Sequence, residues 1–231
     1  MSIQETRSGE TLKTHGLVLR VTPFQERDLV FDVLTLDYGR LGLLGRSAAK
    51  SQKRFGGCKD PLTHVVAHLK VNHQEGLWRA ESFELQSFFP HLRSHYELLE
   101  SAMLGAGALR ELLPEHQKDV PLFQFFGRWL RDVPSQQTTS GCRWYRTLLL
   151  VWLAHHWGHG LLRFSWSADV QKLLESVIRD SQSLSVAMSG LMTQDMSASD
   201  ELALYKLWSQ QTGLAIVVWE KWLQTQVISR R

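Results

Sequence analysis

Basic side chains are concentrated in one short stretch of the chain. Residues 40–59 contain no Asp or Glu but six Lys and Arg residues: Arg40, Arg46, Lys50, Lys53, Arg54 and Lys59. Over residues 1–80 there are 12 Lys and Arg against 8 Asp and Glu, whereas the remainder holds 14 against 15. Such side chains neutralise phosphates and release counterions, so the pattern indicates a polyanionic partner for the N-terminal part. A solvated loop whose charges only aid solubility is the alternative.

Four aromatic residues near the basic stretch could add base stacking to the charge. They are Phe24, Tyr38, Phe55 and Trp78. Proteins that bind single strands combine a positive groove with aromatic rings on which bases stack. We expect Phe55, inside the basic stretch, to be the stacking platform. Trp78 lies on a predicted strand and is expected to fill the interior instead.

The other polar clusters do not predict catalysis or metal binding. Two histidine groups, His91 with His95 and His155 with His156 and His159, lack the accompanying ligands and the HExxH pattern of a zinc site. The two cysteines are too few for a disulfide framework or a four-cysteine zinc site. No P-loop, dinucleotide-binding glycine pattern or Gly-x-Ser-x-Gly motif occurs. We therefore predict no catalytic residue, no cofactor and no metal.

Five β-strands are predicted in the first third of the chain. Apolar residues alternate with polar ones or run continuously at 15–21, 29–36, 41–45, 62–71 and 77–84. The segment Asp37-Tyr38-Gly39-Arg40 is typical of a hairpin turn. Residues 46–60 are a polar loop with room for a short helical turn. Five strands with one long connection after the third indicate an OB-type barrel, although an SH3-like barrel has a similar strand count.

After Pro90 the apolar residues take the spacing of helices. Helices are predicted at 91–113, 121–133, 142–158, 167–180, 183–193 and 199–226, and the very apolar segment 142–158 is expected to be the central one. The fold class is therefore α+β, with a five-stranded OB-fold barrel at 1–85 and an all-helical domain at 86–231. No apolar run reaches the ~18–20 residues of a membrane span, and a cytoplasmic protein is expected.

A series of short motifs stands in a fixed order in residues 16–61: GLVLR at 16–20, Arg27-Asp28, LTLDYGRLGLLGR at 34–46, Ala48-Ala49-Lys50-Ser51, Lys53-Arg54-Phe55-Gly56-Gly57 and Pro61. In these motifs and their order the segment resembles the RecO family. The similarity continues at FFPHL, 88–92, and at Cys142–Leu150, where Arg143, Tyr145 and Arg146 lead an apolar run. Many relatives carry a four-cysteine zinc module after that helix. No cysteine follows Cys142 here, so the zinc site is not carried over, and the relatives' basic C-terminal tail is reduced to VISRR.

The resemblance implies a non-enzymatic mediator of DNA repair and recombination that is cytoplasmic and associated with the nucleoid. Such a protein binds single-stranded DNA and anneals complementary strands. With RecR it helps to load RecA onto DNA coated by single-stranded DNA-binding protein, whose acidic C-terminal tail it contacts. Two alternatives stay open: an OB-like module that binds only proteins, and an enzyme of unknown chemistry. Salt-dependent DNA binding would distinguish the mediator from the protein-only module.

Two sets of site residues follow from these arguments. The DNA-binding set is Arg20, Arg27, Arg40, Arg46, Lys50, Lys53, Arg54, Phe55 and Lys70. The tail-binding set offers rings for a terminal Phe and guanidinium groups for carboxylates, on two predicted helices: Arg128, Trp129 and Arg131, then Arg143, Trp144 and Arg146. Phe125 and Trp129, four residues apart, also fit a helical core.

Overall fold

The structure is a computed structural model that describes residues 9–72, 77–133, 138–159, 166–180, 184–191 and 194–228, without the side chains of 226–228. The chain divides into two compact units. The first comprises residues 1–90 and 113–127, and the second comprises 91–112 and 128–231.

Five strands of the first unit form a closed barrel: β1 (Thr11–Phe24), β2 (Asp28–Thr35), β3 (Gly39–Gly45), β4 (His64–Lys70) and β5 (Trp78–Ser87). Their order around the barrel is β1-β2-β3-β5-β4, and β4 pairs again with β1. Only the β3–β5 pairing is parallel among these strands, and it places Leu44 opposite Arg79. The predicted five-stranded OB-type domain is confirmed.

β1 is longer than the predicted strand at 15–21 because long-range pairing extends both of its ends. At the start of the strand Thr11 pairs with Lys70 of β4, and at its end Phe24 pairs with Asp28 of β2. A shift in register between Val18 and Arg20 bends the strand so that it can join both neighbours. Local alternation alone could not reveal those partners.

Three phenylalanine rings form the centre of the barrel core. Phe31 and Phe83 come from β2 and β5, while Phe55 comes from the short helix α1 (Gln52–Phe55) in the basic stretch. Their ring centroids lie 4.9–5.7 Å apart, and Phe31 and Phe55 are fully buried. Trp78 is also in this core, beside Tyr38 at 5.3 Å, as predicted for Trp78. Each such ring contributes roughly 1.5–3 kcal/mol through burial.

The turn between β2 and β3 requires glycine at position 39. Gly39 has φ +71°, which L side chains rarely adopt. A Cβ atom there would lie 2.1 Å from the backbone oxygen of Gln117. The predicted hairpin signal at 37–40 therefore marks a real turn, and the segment packed against it explains why a larger residue is excluded.

The helices that follow have these bounds: α2 (Pro90–Arg93), α3 (Tyr96–Leu112), α4 (Val120–Arg131), α5 (Thr139–His156), α6 (Ala168–Arg179), α7 (Leu184–Leu191), α8 (Ala198–Thr212) and α9 (Val217–Ile228). The prediction of a helical C-terminal region is confirmed. The predicted helix at 91–113 is two helices, with α2 ending at Arg93 and α3 starting at Tyr96.

α5 is the central helix of the second unit, as its apolar sequence predicted. All residues from Gly141 to Ala154 are buried. Tyr145 stacks on Trp129 with centroids 4.1 Å apart, and each side chain donates a hydrogen bond to the other residue's carbonyl oxygen at 2.8 Å. Trp208 of α8 donates to the Leu150 carbonyl at 2.9 Å. The polar atoms of these large rings are thus satisfied inside the core.

Candidate nucleic-acid interface

The outer face of β1, β2 and β3 is the candidate interface. On β1 the outward positions include Arg20 and Phe24, both exposed. The register sets Val30 of β2 beside Leu44 of β3, and Leu44 beside Arg79 of β5. In OB-folds the face formed by strands 2 and 3, with the loops after strands 1 and 4, binds oligonucleotides. We call this surface the outer face.

Two carboxylates of β2 lie on the outer face, and each already has a partner. Asp28 accepts a hydrogen bond from the Ser47 backbone N–H at 2.7 Å. Asp32 pairs with Arg40 at 3.0 Å. The Arg40 guanidinium compensates the charge of Asp32, so this carboxylate opposes an anionic ligand less than an unpaired one would. Asp28 is held in place by its hydrogen bond but keeps its charge.

Arg40 ties the barrel to the segment after α3. Besides Asp32, its guanidinium donates to the Leu113 carbonyl at 3.0 Å and lies 3.6 Å from Glu115. Its side chain is only 16% exposed. The structure therefore gives Arg40, a predicted DNA-binding residue, a role in holding residues 113–116 against β3.

The turn at residues 46–51 is held in place by basic residues from elsewhere in the first unit. The Ala49 N–H donates to the Arg27 carbonyl at 3.1 Å. Arg54 donates to the Arg46 carbonyl at 2.7 Å, and Lys59 donates to the Ala49 carbonyl at 2.9 Å. Arg54 and Lys59 thus build the turn.

Four basic residues remain exposed at that turn and at the β1–β2 hairpin beside it: Arg27, Arg46, Lys50 and Lys53. The hairpin also exposes one carboxylate, that of Glu26. Phe24 ends β1 beside this group, because it pairs with Asp28 across the hairpin that contains Arg27. Cations and one exposed ring therefore occur together, as single-strand binding requires.

Phe55 does not have the position expected of a stacking platform. Its ring is fully buried between Phe31 and Phe83, and Tyr38 and Trp78 are buried as well. A ring inside the core cannot receive a base, which corrects the expectation for Phe55. Phe24, by contrast, is 44% exposed. In the sequence, Phe24 lies next to a hairpin rich in polar residues, and this position could have indicated that its ring is exposed and available for stacking.

A cleft of about 220 Å³ lies where β3, β4 and β5 meet. Three cations line it: Arg46, Lys70 and Arg79. Lys70 and Arg79 are cross-strand partners, and Arg79 is also opposite Leu44, two residues before Arg46. Barrel closure thus joins residues that are far apart in sequence. Arg46 and Lys70 are among the site residues predicted from the sequence, whereas Arg79 was missed.

In the helical unit, Arg143 and Arg146 are committed to internal contacts. Arg146 donates to both carboxylate oxygens of Glu201 and, at 2.8 Å, to Ser101. Arg143 donates to the Met196 carbonyl at 2.8 Å and lies 3.9 Å from Glu201. Both guanidinium groups are buried, so their charges stabilise the fold.

The cavity beside these two arginines does not suit an acidic peptide. It measures about 70 Å³, and its lining includes Glu97, Glu100 and Glu201 as well as Arg143 and Arg146. Carboxylates outnumber guanidinium groups there, so a negatively charged tail would be repelled. Burial raises the pKa of the Cys142 thiol in the same lining to about 11, which leaves it uncharged near neutral pH.

The tail-binding rings are also inside the helical core. Trp129 is fully buried and Trp144 is 3% exposed, with its Nε1–H donating to the Gln194 carbonyl at 3.0 Å. Neither ring can line an open pocket, which corrects that part of the expected tail site. Of the remaining predicted residues, Arg128 is half-buried and Arg131 is exposed at the end of α4.

The described residues were compared with the requirements of a metal site and of a membrane-spanning helix. Within them, no group of three or more His, Cys, Asp and Glu side chains is arranged to hold a metal ion. No helix in that part of the chain is long and apolar enough to cross a membrane.

Comparison with known proteins links the barrel to one family. The model of the family "Recombination protein O N terminal" matches residues 10–89, which include all five strands. Curated proteins named "DNA repair protein RecO" match as well. The one from Anaeromyxobacter sp. (strain K) is 30% identical over 121 residues, which are 52% of this chain and 48% of that protein.

Two further relatives of the same name show similar coverage. The protein from Koribacter versatilis is 27% identical over 114 residues, 48% of this chain and 46% of its own. The protein from Geobacter metallireducens is 24% identical over 121 residues, 52% of this chain and 49% of its own. The chain thus spans about half the length of the curated relatives it matches.

Proposed function

We propose that the chain, whose residues 10–89 match the family model of the RecO N-terminal domain, belongs to the RecO family and acts in DNA repair by binding single-stranded DNA on the outer face of its barrel. The observation that carries the proposal is the exposed cluster of Arg27, Arg46, Lys50 and Lys53 beside Phe24. Both carboxylates of β2 on that face are already occupied by protein groups. Positive charge and a stacking ring thus stand together where OB-folds bind single strands.

The physical basis of this binding is the neutralisation of phosphates. Each Lys or Arg that contacts a phosphate releases counterions, so the affinity falls as salt is added, with a slope of about −0.7 per phosphate for single strands. The contacts are sequence-independent, which suits a protein that must act on any damaged region. No bond has to be made or broken, so the proposed activity needs no catalytic group.

The finer role that we propose is that of a recombination mediator. The protein would anneal complementary strands and, with RecR, help RecA to replace single-stranded DNA-binding protein on DNA. The resemblance to the family supports this role. The acidic tail of single-stranded DNA-binding protein would bind at α4, through the exposed Arg131 and the half-buried Arg128. These two belong to the predicted tail-binding set and are not buried in the helical core. Arg143 and Arg146 are omitted because both guanidinium groups are buried, and each is held by internal contacts that include Glu201.

The test is a titration of single-stranded DNA at several salt concentrations with wild type and a triple variant. In the variant, Arg27→Ala, Lys50→Ala and Lys53→Ala remove three exposed cations; Arg54 and Lys59 stay because they hold the turn. We expect weaker binding and a salt slope that is smaller by about 2, the contribution of three phosphates.

The matched control removes three exposed lysines of the helical unit, Lys172, Lys206 and Lys221, as alanine substitutions. We expect this control to keep the wild-type slope. Equal losses in both triple variants would contradict the outer face as the binding site. If wild type shows no DNA binding even at low salt, the protein-only module is the better description.

A further inference from the structure

The cleft between β3, β4 and β5, which borders the outer face at β3, is rich in positive charge. Arg46, Lys70 and Arg79 line it, and no carboxylate does so among the residues that the structure describes. Glu81 pairs with one of these cations, since its carboxylate lies 3.0 Å from the Arg79 Nε. Among the residues that the structure describes, the three lining cations and this one carboxylate leave a surplus of two positive charges.

That surplus distinguishes between the two kinds of phosphate in a DNA strand. An internal phosphodiester carries one negative charge, whereas a phosphomonoester carries about 1.5 to 2 at neutral pH. A cluster with two uncompensated positive charges therefore matches a monoester better than a diester. Guanidinium groups bind the oxygens of such a group through short, charge-assisted hydrogen bonds.

The other lining residues of the cleft are the apolar Leu44, Val71 and Leu77, together with Gly9 and the polar Asn72. Cations above an apolar surface fit a ligand that has a charged group joined to a sugar or base. The volume of about 220 Å³ is below the ~300–1,000 Å³ of pockets for drug-sized ligands. It therefore suits one nucleotide end and is too small for several stacked bases.

We propose that this cleft binds a nucleotide phosphomonoester, and specifically the phosphorylated end of a single DNA strand. The proposal rests on the proposed function, since it assigns a strand end to one border of the DNA-binding face. Arg79 and Lys70 hold the terminal phosphate from adjacent strands, and Arg46 joins the cleft to the exposed cations around the 46–51 turn. A free nucleoside monophosphate has the same chemistry and is the competing source of ligand.

The experiment compares oligonucleotides of about six nucleotides, within the site size of one OB-fold, that carry a phosphate or a hydroxyl at the 5′ or the 3′ end. Binding to the full chain is followed by fluorescence anisotropy, with dAMP as a separate ligand in calorimetry. We expect one phosphorylated end to bind about tenfold more tightly than its hydroxyl counterpart, the effect of one charge-assisted contact.

Two variants test whether the preference comes from the cleft. Arg79→Gln should remove the preference for the phosphorylated end while keeping the affinity for the hydroxyl end within about twofold. Lys70→Ala should also remove the preference, but because Lys70 belongs to the predicted DNA-binding set, it should in addition weaken the binding of both ends. The control is Lys118→Ala, which removes a lysine that pairs with Asp37 at the turn before β3, the opposite end of that strand from Arg46. Lys70 is exposed, so Lys70→Ala should keep the fold intact. It therefore tests the cleft even if Arg79→Gln does not fold.

The outcomes separate this inference from the proposed function. If wild type binds all four oligonucleotides equally, the inference is overturned while the DNA-binding proposal stands. If wild type binds no DNA but binds dAMP, and Arg79→Gln abolishes that binding, the cleft is a mononucleotide site and the outer-face proposal fails. If neither dAMP nor the phosphorylated ends bind more tightly than their unphosphorylated forms, the cleft does not bind a phosphomonoester.

Discussion

Three basic side chains stabilise the fold through hydrogen bonds: those of Arg40, Arg54 and Lys59. Their side chains donate to backbone carbonyls of Leu113, Arg46 and Ala49, respectively. Lys50 and Lys53 belong to the same basic stretch but remain exposed. The sequence predicts that the stretch is basic, yet it cannot say which cations meet a carbonyl, because those partners are brought near only by folding.

The two phenylalanines Phe24 and Phe55 should respond differently to truncation. Phe24→Ala removes an exposed ring, so we expect single-strand affinity to fall by ~1–3 kcal/mol while stability stays nearly unchanged. Phe55→Ala empties the centre of the barrel core and should cost ~3–5 kcal/mol of stability. Urea unfolding and DNA anisotropy on both variants measure these quantities.

Phe88→Ala is the control for Phe24, because Phe88 is similarly exposed at 47% and lies after β5. It should change neither affinity nor stability appreciably. An unaltered affinity in a folded Phe24→Ala protein would remove this ring from the interface.

At the scale of elements, α8 begins with a capping box. Ser197 accepts a hydrogen bond from the Asp200 N–H at 3.1 Å, and the Asp200 carboxylate accepts from the Ser197 N–H at 3.0 Å. The Ser197 hydroxyl also donates to the same carboxylate at 2.6 Å, and this hydrogen bond together with the one from the Ser197 N–H lowers the pKa of Asp200 below its ordinary value. The Ser-x-x-Asp spacing that produces this cap is local in sequence.

The lowered pKa of Asp200 makes its contribution to stability dependent on pH. A carboxyl whose folded pKa is depressed stabilises the protein above its unfolded pKa of about 3.9, and that stabilisation is lost as the pH falls through the folded pKa. Asp200→Asn should therefore lower the free energy of unfolding by ~0.5–1 kcal/mol at neutral pH. It should not change that free energy at a pH where the wild-type Asp200 carboxyl is protonated.

Urea unfolding of wild type and Asp200→Asn between neutral and strongly acidic pH measures this difference. The control is Glu175→Gln on α6, which also removes one carboxylate, but one that accepts a hydrogen bond from Gln171 and makes no cap. A constant difference for Asp200→Asn across the whole range would contradict the assignment.

At the scale of the whole molecule, the chain divides into two compact units, and a cluster of buried hydrophobic residues fills the barrel of the first. Eight of the nine tryptophans lie outside the first unit, and only Trp78 belongs to it. Tryptophan fluorescence should therefore report mainly on the helical unit. We expect two unfolding transitions, because chains with more than one domain commonly depart from two-state behaviour.

Glu201→Gln tests this separation. It leaves the buried guanidinium of Arg146 without its full counter-charge, which should destabilise the helical unit by ~3–5 kcal/mol. The fluorescence transition should move to lower urea, while hydrogen exchange of the β2 amides stays unchanged. The control is Glu26→Gln at the exposed β1–β2 hairpin. It should change neither the fluorescence transition nor the hydrogen exchange of the β2 amides. Equal shifts of both signals in Glu201→Gln would mean a single cooperative unit.

By itself the sequence determined the elements that depend on local pattern. Alternation predicted five strands, 3–4 spacing predicted helices after Pro90, and composition placed the positive charge in the first third of the chain. It also predicted the interior position of Trp78 and the central place of residues 142–158. Each conclusion needs only neighbours within a few residues, so it can be drawn without a tertiary structure.

Only the tertiary structure decided which of those residues face a ligand. Side chains alternate across a strand, so a single shift in register would exchange inward and outward positions. Register is set by partners far along the chain: Leu44 meets Arg79, and Arg79 meets Lys70, because the barrel closes there. The same closure buries Phe55 and leaves Phe24 exposed. Long-range pairing, which local pattern does not encode, therefore determined the composition of the candidate site.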